Sequence, residues 1–260
     1  MRARHVALSP LRRMIVDFTH FKVPSVVLQR QMQIAAVVAA RAACEERPSW
    51  PSIFLKAFAI TADEFPPLRR AYVKLPWPHL AEYPTSVAAV AVEREHAGEV
   101  QPVTMRLHNP SSYPLDALNW EIRNAARIPL EESKEFRRTL TLGRLPWFLR
   151  RPLWWLGLNL PRQRAHFFGT FCISVSAPFG AEGLHPVGPY TTIVTYGPIG
   201  TEGDVDVRFV VDHRVIDGAL VARAMVRMEE ILNTAVLAEI KSLPQLREPQ
   251  AQREAQRGKP

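Results

Sequence analysis

Between Ala165 and Thr201 the chain carries a single charged side chain, Glu182. Within that stretch FCISVSA and YTTIVTYG are rich in β-branched and aromatic residues, which predicts strands buried on both faces or against another subunit. The next segment, DVDVRFVVDH, alternates: Val205, Val207, Phe209, Val211 and His213 share one parity. That spacing predicts a strand that presents His213 as the last residue on its face. After Asp217 and Gly218 a long amphipathic helix is expected, with Leu220, Ala224, Met228, Ile231 and Ala235 along one stripe. Buried strands followed by an amphipathic helix constrain the fold to a mixed α/β architecture.

The upstream pattern agrees. SVVLQRQMQI sets Val27, Gln29, Gln31 and Gln33 against Leu28, Met32 and Ile34, as in a half-buried strand. Two helices follow, the alanine-rich AAVVAARAACEE and a second that starts after Pro51 and ends at Pro66 and Pro67. TSVAAVAVE and VQPVTMRL predict a hairpin or adjacent strands, and PLDALNWEIRNAA a helix burying Leu115, Leu118 and Ile122. No repeat and no flexible linker interrupts residues 1–243, so they form one domain, long enough for a sizeable core. Residues 244–260 are polar and punctuated by proline, and are expected to be a disordered tail.

Composition removes several classes of function. The net charge is +8, with 27 of the 33 basic residues arginine. This favours anionic partners in general, but the bias is diffuse and no nucleic acid is expected. The two cysteines, Cys44 and Cys172, fit neither a disulfide framework nor a zinc-ribbon spacing, so a reducing, cytoplasmic setting is expected. The first twenty residues hold no apolar run of the secretory type. Gly183–Thr201 is broken by Pro186, Pro189 and Pro198 and does not read as a transmembrane helix. The remaining histidines show no metal-ligand spacing, and no metal is expected.

The run Asp212-His213-Arg214-Val215-Ile216-Asp217-Gly218-Ala219 carries the chemistry. A histidine followed four residues later by Asp-Gly is a weak motif by itself. The full DHRVIDGA resembles the active-site signature of the dihydrolipoyl acyltransferase catalytic domain of 2-oxoacid dehydrogenase complexes, within the chloramphenicol acetyltransferase-like superfamily. Upstream, FGTFCISVSAPFG is similar to that family's GTFTISNLG strand, and HPVGPYTTIVTYGPI stands where its proline-containing turn and next strand lie. SPLRRMIVDF is similar to its opening helix, and the likeness extends over about residues 7–240.

The resemblance implies a sandwich of a mixed sheet with flanking helices, assembled as a homotrimer, that transfers acyl groups by direct attack. His213 would be the general base, and Ser174 the hydroxyl that stabilises the oxyanion. Asp217 would pair with Arg12, or with Arg13, to fix the loop, and Gly218 would let the backbone turn tightly into the next helix. Cys172 is read as a small buried apolar residue. No bound cofactor is implied. CoA or acyl-CoA is the expected substrate, with a lipoyl or carrier-protein thioester arriving in trans as another donor, since the family's lipoyl and subunit-binding domains have no counterpart here.

One segment departs from the family. In LPWFLRRPLWWLGLNLPRQR, Trp147, Phe148, Leu149, Leu153, Trp154, Trp155, Leu156 and Leu158 stand among Arg144, Arg150, Arg151, Arg162 and Arg164. This mixture suits an interfacial lipid or membrane contact through Trp147, Trp154 and Trp155, and equally a subunit interface or the wall of an apolar pocket. Pro152 is expected to interrupt any helix there. The polar tail favours a free trimer over a large cubic core. Two other functions stay open: a non-catalytic trimeric scaffold, and a protein bound to a membrane surface.

Overall fold

The structure is a computed structural model that describes residues 10, 24–96, 99–174, 180–181 and 183–245. Its centre is a six-stranded mixed sheet in the order β1 (Ser25–Gln33), β8 (Asp204–Asp212), β7 (Thr192–Tyr196), β6 (Phe171–Ile173), β4 (Val87–His96) and β5 (Glu99–His108). Strands β4, β6 and β7 run parallel, and β1/β8, β8/β7 and β4/β5 are antiparallel. A separate hairpin pairs β2 (Arg70–Val73) with β3 (His79–Glu82). The mixed α/β sandwich expected from the sequence is the observed architecture.

Helix α1 (Ala35–Ala43) and helix α2 (Trp50–Glu64) follow β1. The Ser49 hydroxyl accepts the Ser52 N–H and Pro51 occupies the first turn, both standard ways to start a helix. Ten residues of α2 are buried. Phe58 lies against Phe171 and Phe209, at ring separations of 4.5 and 5.2 Å, and Phe54 stacks on Tyr196 at 4.0 Å. Each such ring contributes about 1.5–3 kcal/mol by burial. These contacts lock the helix onto β6, β7 and β8, the strands that carry the candidate site. Lys56 is buried but satisfied, donating to Ser111 O and Tyr113 O with Glu239 3.0 Å away.

Helix α3 (Leu115–Arg127) buries Leu115, Leu118 and Ile122 as its spacing predicts. Helix α7 (Gly218–Ile231) passes through a π-helical turn, Leu232–Val236, into α8 (Leu237–Ser242). The wider turn shifts the apolar stripe, so Val236 is buried where a regular helix would have buried Ala235, which is exposed. Two glycines are required by geometry. Gly203 (φ 80°) turns into β8 and Gly169 (φ 84°) turns into β6, and an added Cβ would run into Ala35 at the first and into Val87 O at the second.

Between β5 and β6 lie α4 (Lys134–Arg144), α5 (Trp147–Asn159) and α6 (Pro161–Phe167). Pro152 does not interrupt α5 as expected. It sits on the exposed side, where the carbonyl left without a donor can be hydrated. Trp154 is not a surface residue either: it is buried, with its ring stacked on Phe168 at 4.9 Å beside Leu158. Trp155 is half-buried, and of the three tryptophans only Trp147 is strongly exposed. The expected tail lies almost wholly outside the described residues, although Gln245 bridges to Cys44.

Candidate active site

Strand β8 ends one residue before His213. The Asp212 N–H donates to Thr191 O at the start of β7, and the His213 N–H donates to Pro24 O just before β1. The N–H groups of Val215 and Ile216 both turn back to Asp212 O, while Ile216 plugs into the core. His213 shares its parity with the core-facing valines, but this turn lifts it out of the strand, and its side chain is 52% exposed. Its Nδ1 lies 3.1 Å from Ile216 O. A carbonyl can only accept, so Nδ1 carries the hydrogen and neutral imidazole presents the lone pair on Nε2 outward. The arrangement is that of an exposed base held by its own loop.

The turn stands on an ion pair between a buried aspartate and a partly exposed arginine. The Asp212 side chain is fully buried; Oδ1 accepts the Arg214 N–H and Nε, at 3.1 and 2.9 Å, and Oδ2 accepts Nη2 at 2.7 Å. The Arg214 guanidinium lies 4.6 Å over the Tyr72 ring. Arg164 of α6 is buried nearby and donates to Leu158 O and Pro189 O. Burial lowers its pKa from the ordinary arginine value, and Tyr83 and Asp212 pull the other way. Arg164 thereby couples the α5–α6 segment to the histidine turn. Sequence reasoning placed Asp212 and Arg214 in the motif without a role of their own, read Arg164 only as one of the arginines of the Trp-rich segment, and did not single out Tyr72. For Asp212 a signal existed, a carboxylate on the apolar strand immediately before the histidine.

Asp217 is the N-cap residue of α7, with an 88% exposed carboxylate 3.8 Å from His213 Nδ1. At that distance it is no hydrogen bond, but it attracts an imidazolium weakly. Arg12 and Arg13, its expected partners, lie outside the described residues. The tight turn expected at Gly218 is absent. Its φ is not in the left-handed region, and an added Cβ would meet only Leu28 Cδ2 at 3.9 Å, because the chain enters α7 through the extended backbone of Asp217.

Ser174 follows β6 directly, half-buried, and its N–H donates to Val194 O. It stands at the level of Thr195, which pairs with Arg208 on β8. His213 is five residues beyond Arg208, so the two backbone positions are about 16 Å apart along the strand direction in one protomer. The structure therefore does not bring Ser174 and His213 together within one chain. Cys172, one residue before β6 ends, is fully buried, and burial pushes its thiol up to about 12. It is not poised to be a nucleophile.

A second histidine shares the His213 end of the sheet. Ser25 pairs in register with Asp212, and its hydroxyl lies 2.7 Å from His185 Nε2. The cleft between β5, α3 and α4 is at the opposite edge of the sheet. Its arginines are committed, Arg94 to Ala125 O and Ile128 O and Arg106 to Phe167 O and Glu135, so it has no claim on the chemistry.

No family model and no curated protein matches the sequence. Solved structures match its fold over nearly the full length. A probable dihydrolipoamide acetyltransferase from Listeria monocytogenes 4b F2365 superposes with a TM-score of 0.63 at 16% identity, covering 92% of this chain and 96% of that one. The cubic core of a pyruvate dehydrogenase multienzyme complex gives 0.64 at 18%, covering 91% and 94%. A chloramphenicol acetyltransferase gives 0.55 at 16%, covering 85% and 94%. Likeness at this identity speaks to fold, and function has to be argued from the site.

Proposed function

With the chloramphenicol acetyltransferase-like fold as the premise, we propose that the protein is an acyltransferase that moves an acyl group between CoA, or another thioester, and a thiol or hydroxyl acceptor. His213 Nε2 takes the acceptor's proton as the acceptor attacks the thioester carbonyl. The tetrahedral oxyanion accepts a hydrogen bond from the Ser174 hydroxyl. Collapse expels the donor thiolate, which recovers the proton from the imidazolium. Protons and electrons balance with no external reagent.

The observation that carries this reading is the fixed, outward-facing imidazole of His213, with Nδ1 occupied by Ile216 O. The separation of Ser174 from His213 supports a corollary. A site using both residues needs the serine of a neighbouring copy, which a two-fold dimer or a closed ring would each supply; the homotrimer that the sequence resemblance implies is the assembly we propose. The half-open surroundings of His213 in one protomer fit that requirement.

The test is a screen of acyl-CoAs against thiol and hydroxyl acceptors, read by thiol release and by mass spectrometry of the acylated acceptor. His213→Ala should fold normally and lose at least about a hundredfold in turnover. Unchanged turnover in that variant would remove the histidine from the mechanism.

A further inference from the structure

Helix α5 is apolar on the side that faces water as well as on much of the side that faces the protein. Its buried side holds Arg150, Trp154, Gly157 and Leu158, and its exposed side holds Phe148, Leu149, Pro152, Leu153 and Leu156. Phe148 is 58% exposed and Leu149, Leu153 and Leu156 between 40% and 48%. Exposed aromatics stand at both ends. Trp147 opens the helix, and the loop carrying exposed Trp77 is tied to its other end by the Leu75 N–H to Asn159 O bond. A row of apolar side chains on an outer helix face needs a partner.

Charge indicates which partner. From Phe136 to Ala181 the sequence has seven arginines and no carboxylate. Exposed Arg144 precedes the helix, Arg151 lies 5.6 Å from the Trp147 ring centroid, and exposed Arg162 follows in α6. A second copy placed on this face by two-fold symmetry would set arginine against arginine. An anionic bilayer would instead receive the apolar row among its acyl chains and pair its headgroups with the flanking guanidinium groups. The thirteen-residue helix is about 20 Å long, too short to cross a bilayer, and no helix among the described residues is long and apolar enough to do so.

We propose that α5 is an interfacial anchor that seats the protein on an anionic lipid surface, its exposed apolar face in the headgroup boundary and its flanking arginines on lipid phosphates. The anchor does not depend on the acyl-transfer reading. Because Arg164 bonds both the end of α5 and the Pro189 loop beside the histidine turn, a seated helix would hold the His213 end of the sheet at a fixed place relative to the membrane.

The test is flotation of the full chain with large unilamellar vesicles of phosphatidylcholine alone and of phosphatidylcholine with phosphatidylglycerol. Binding should require phosphatidylglycerol and weaken as salt is raised. Leu153→Ser/Leu156→Ser should lower the partition coefficient at least about tenfold, with unchanged circular dichroism and unchanged mass by light scattering. Should that pair fail to fold, Phe148→Ser is read in the same assay. Arg144→Gln/Arg162→Gln should reduce binding and flatten its salt dependence. Absence of flotation, binding indifferent to phosphatidylglycerol, or serine variants that change the oligomer's mass and leave flotation intact would each overturn the proposal.

Discussion

The two ends of the central sheet differ in how completely one chain builds them. At the His213 end the chain supplies what holds the imidazole: Pro24 O for the backbone N–H of His213, Ile216 O for Nδ1, and beneath them the buried Asp212 paired with a partly exposed Arg214 against Tyr72. At the Ser174 end the backbone is fixed by Val194 O, but the base the hydroxyl would work with is five residues away along β8. The difference teaches that a protomer can be fully folded and still keep His213 and Ser174 apart. On the proposed reading, catalysis by this pair is a property of assembly, while the stability of each end is a property of the chain.

Substitutions can break or sharpen this contrast. His213→Ala has the largest expected effect, the hundredfold or greater loss of turnover described above, with folding intact because the ring is exposed and bonds only its own loop. Ser174→Ala should lower kcat by about ten- to a hundredfold with little change in KM, as expected for a donor used only by the transition state. A change confined to KM would make the serine a binding residue.

Asp212→Asn should act on stability. It leaves Arg214, and Arg164 behind it, without their buried counter-charge. The loss should be about 2–3 kcal/mol by denaturant unfolding, below the full cost of breaking a buried pair because Arg214 is partly exposed. A loss no larger than that of a surface pair would contradict the account of how this end is held. Glu64 supplies that surface reference. It accepts from Arg227 Nε and Nη2 on the protein's exterior, and this hydrogen bond holds its carboxyl below the ordinary carboxylate range. A lowered folded-state value means that the contribution is complete above the ordinary range and is lost as pH falls through the folded value. Glu64→Gln should therefore give the smallest effect of the series, present at neutral pH, fading in acid and weakened by salt.

Much of this architecture was legible in the sequence because it rests on local periodicity. Strands β1, β4, β5, β7 and β8 and helices α2 and α3 lie where alternation, helical spacing and proline place them. The β2–β3 hairpin was not legible, since its four-residue strands are too short and polar to show a period. The π turn after Ile231 shifted a stripe that a regular helix would have continued. In α5 both sides are apolar, so periodicity could not tell the inward Trp154 from the outward Leu153. The motif pointed to His213 and Ser174, but their distance depends on strand order and register, which join residues far apart in sequence. Arg164 is hidden for the same reason: its partners are a helix end and a loop that only the fold brings together.

The measurement that bears most directly on the shared site is complementation. His213→Ala and Ser174→Ala chains, each nearly inactive alone, are co-expressed with different tags and the mixed assemblies purified. If each site takes its histidine from one chain and its serine from the next around a trimer, every mixed trimer regains one intact site. The purified mixed trimers should then recover about a third of wild-type turnover. Activity no greater than the sum of the two variants would contradict the account and place the chemistry within a single chain.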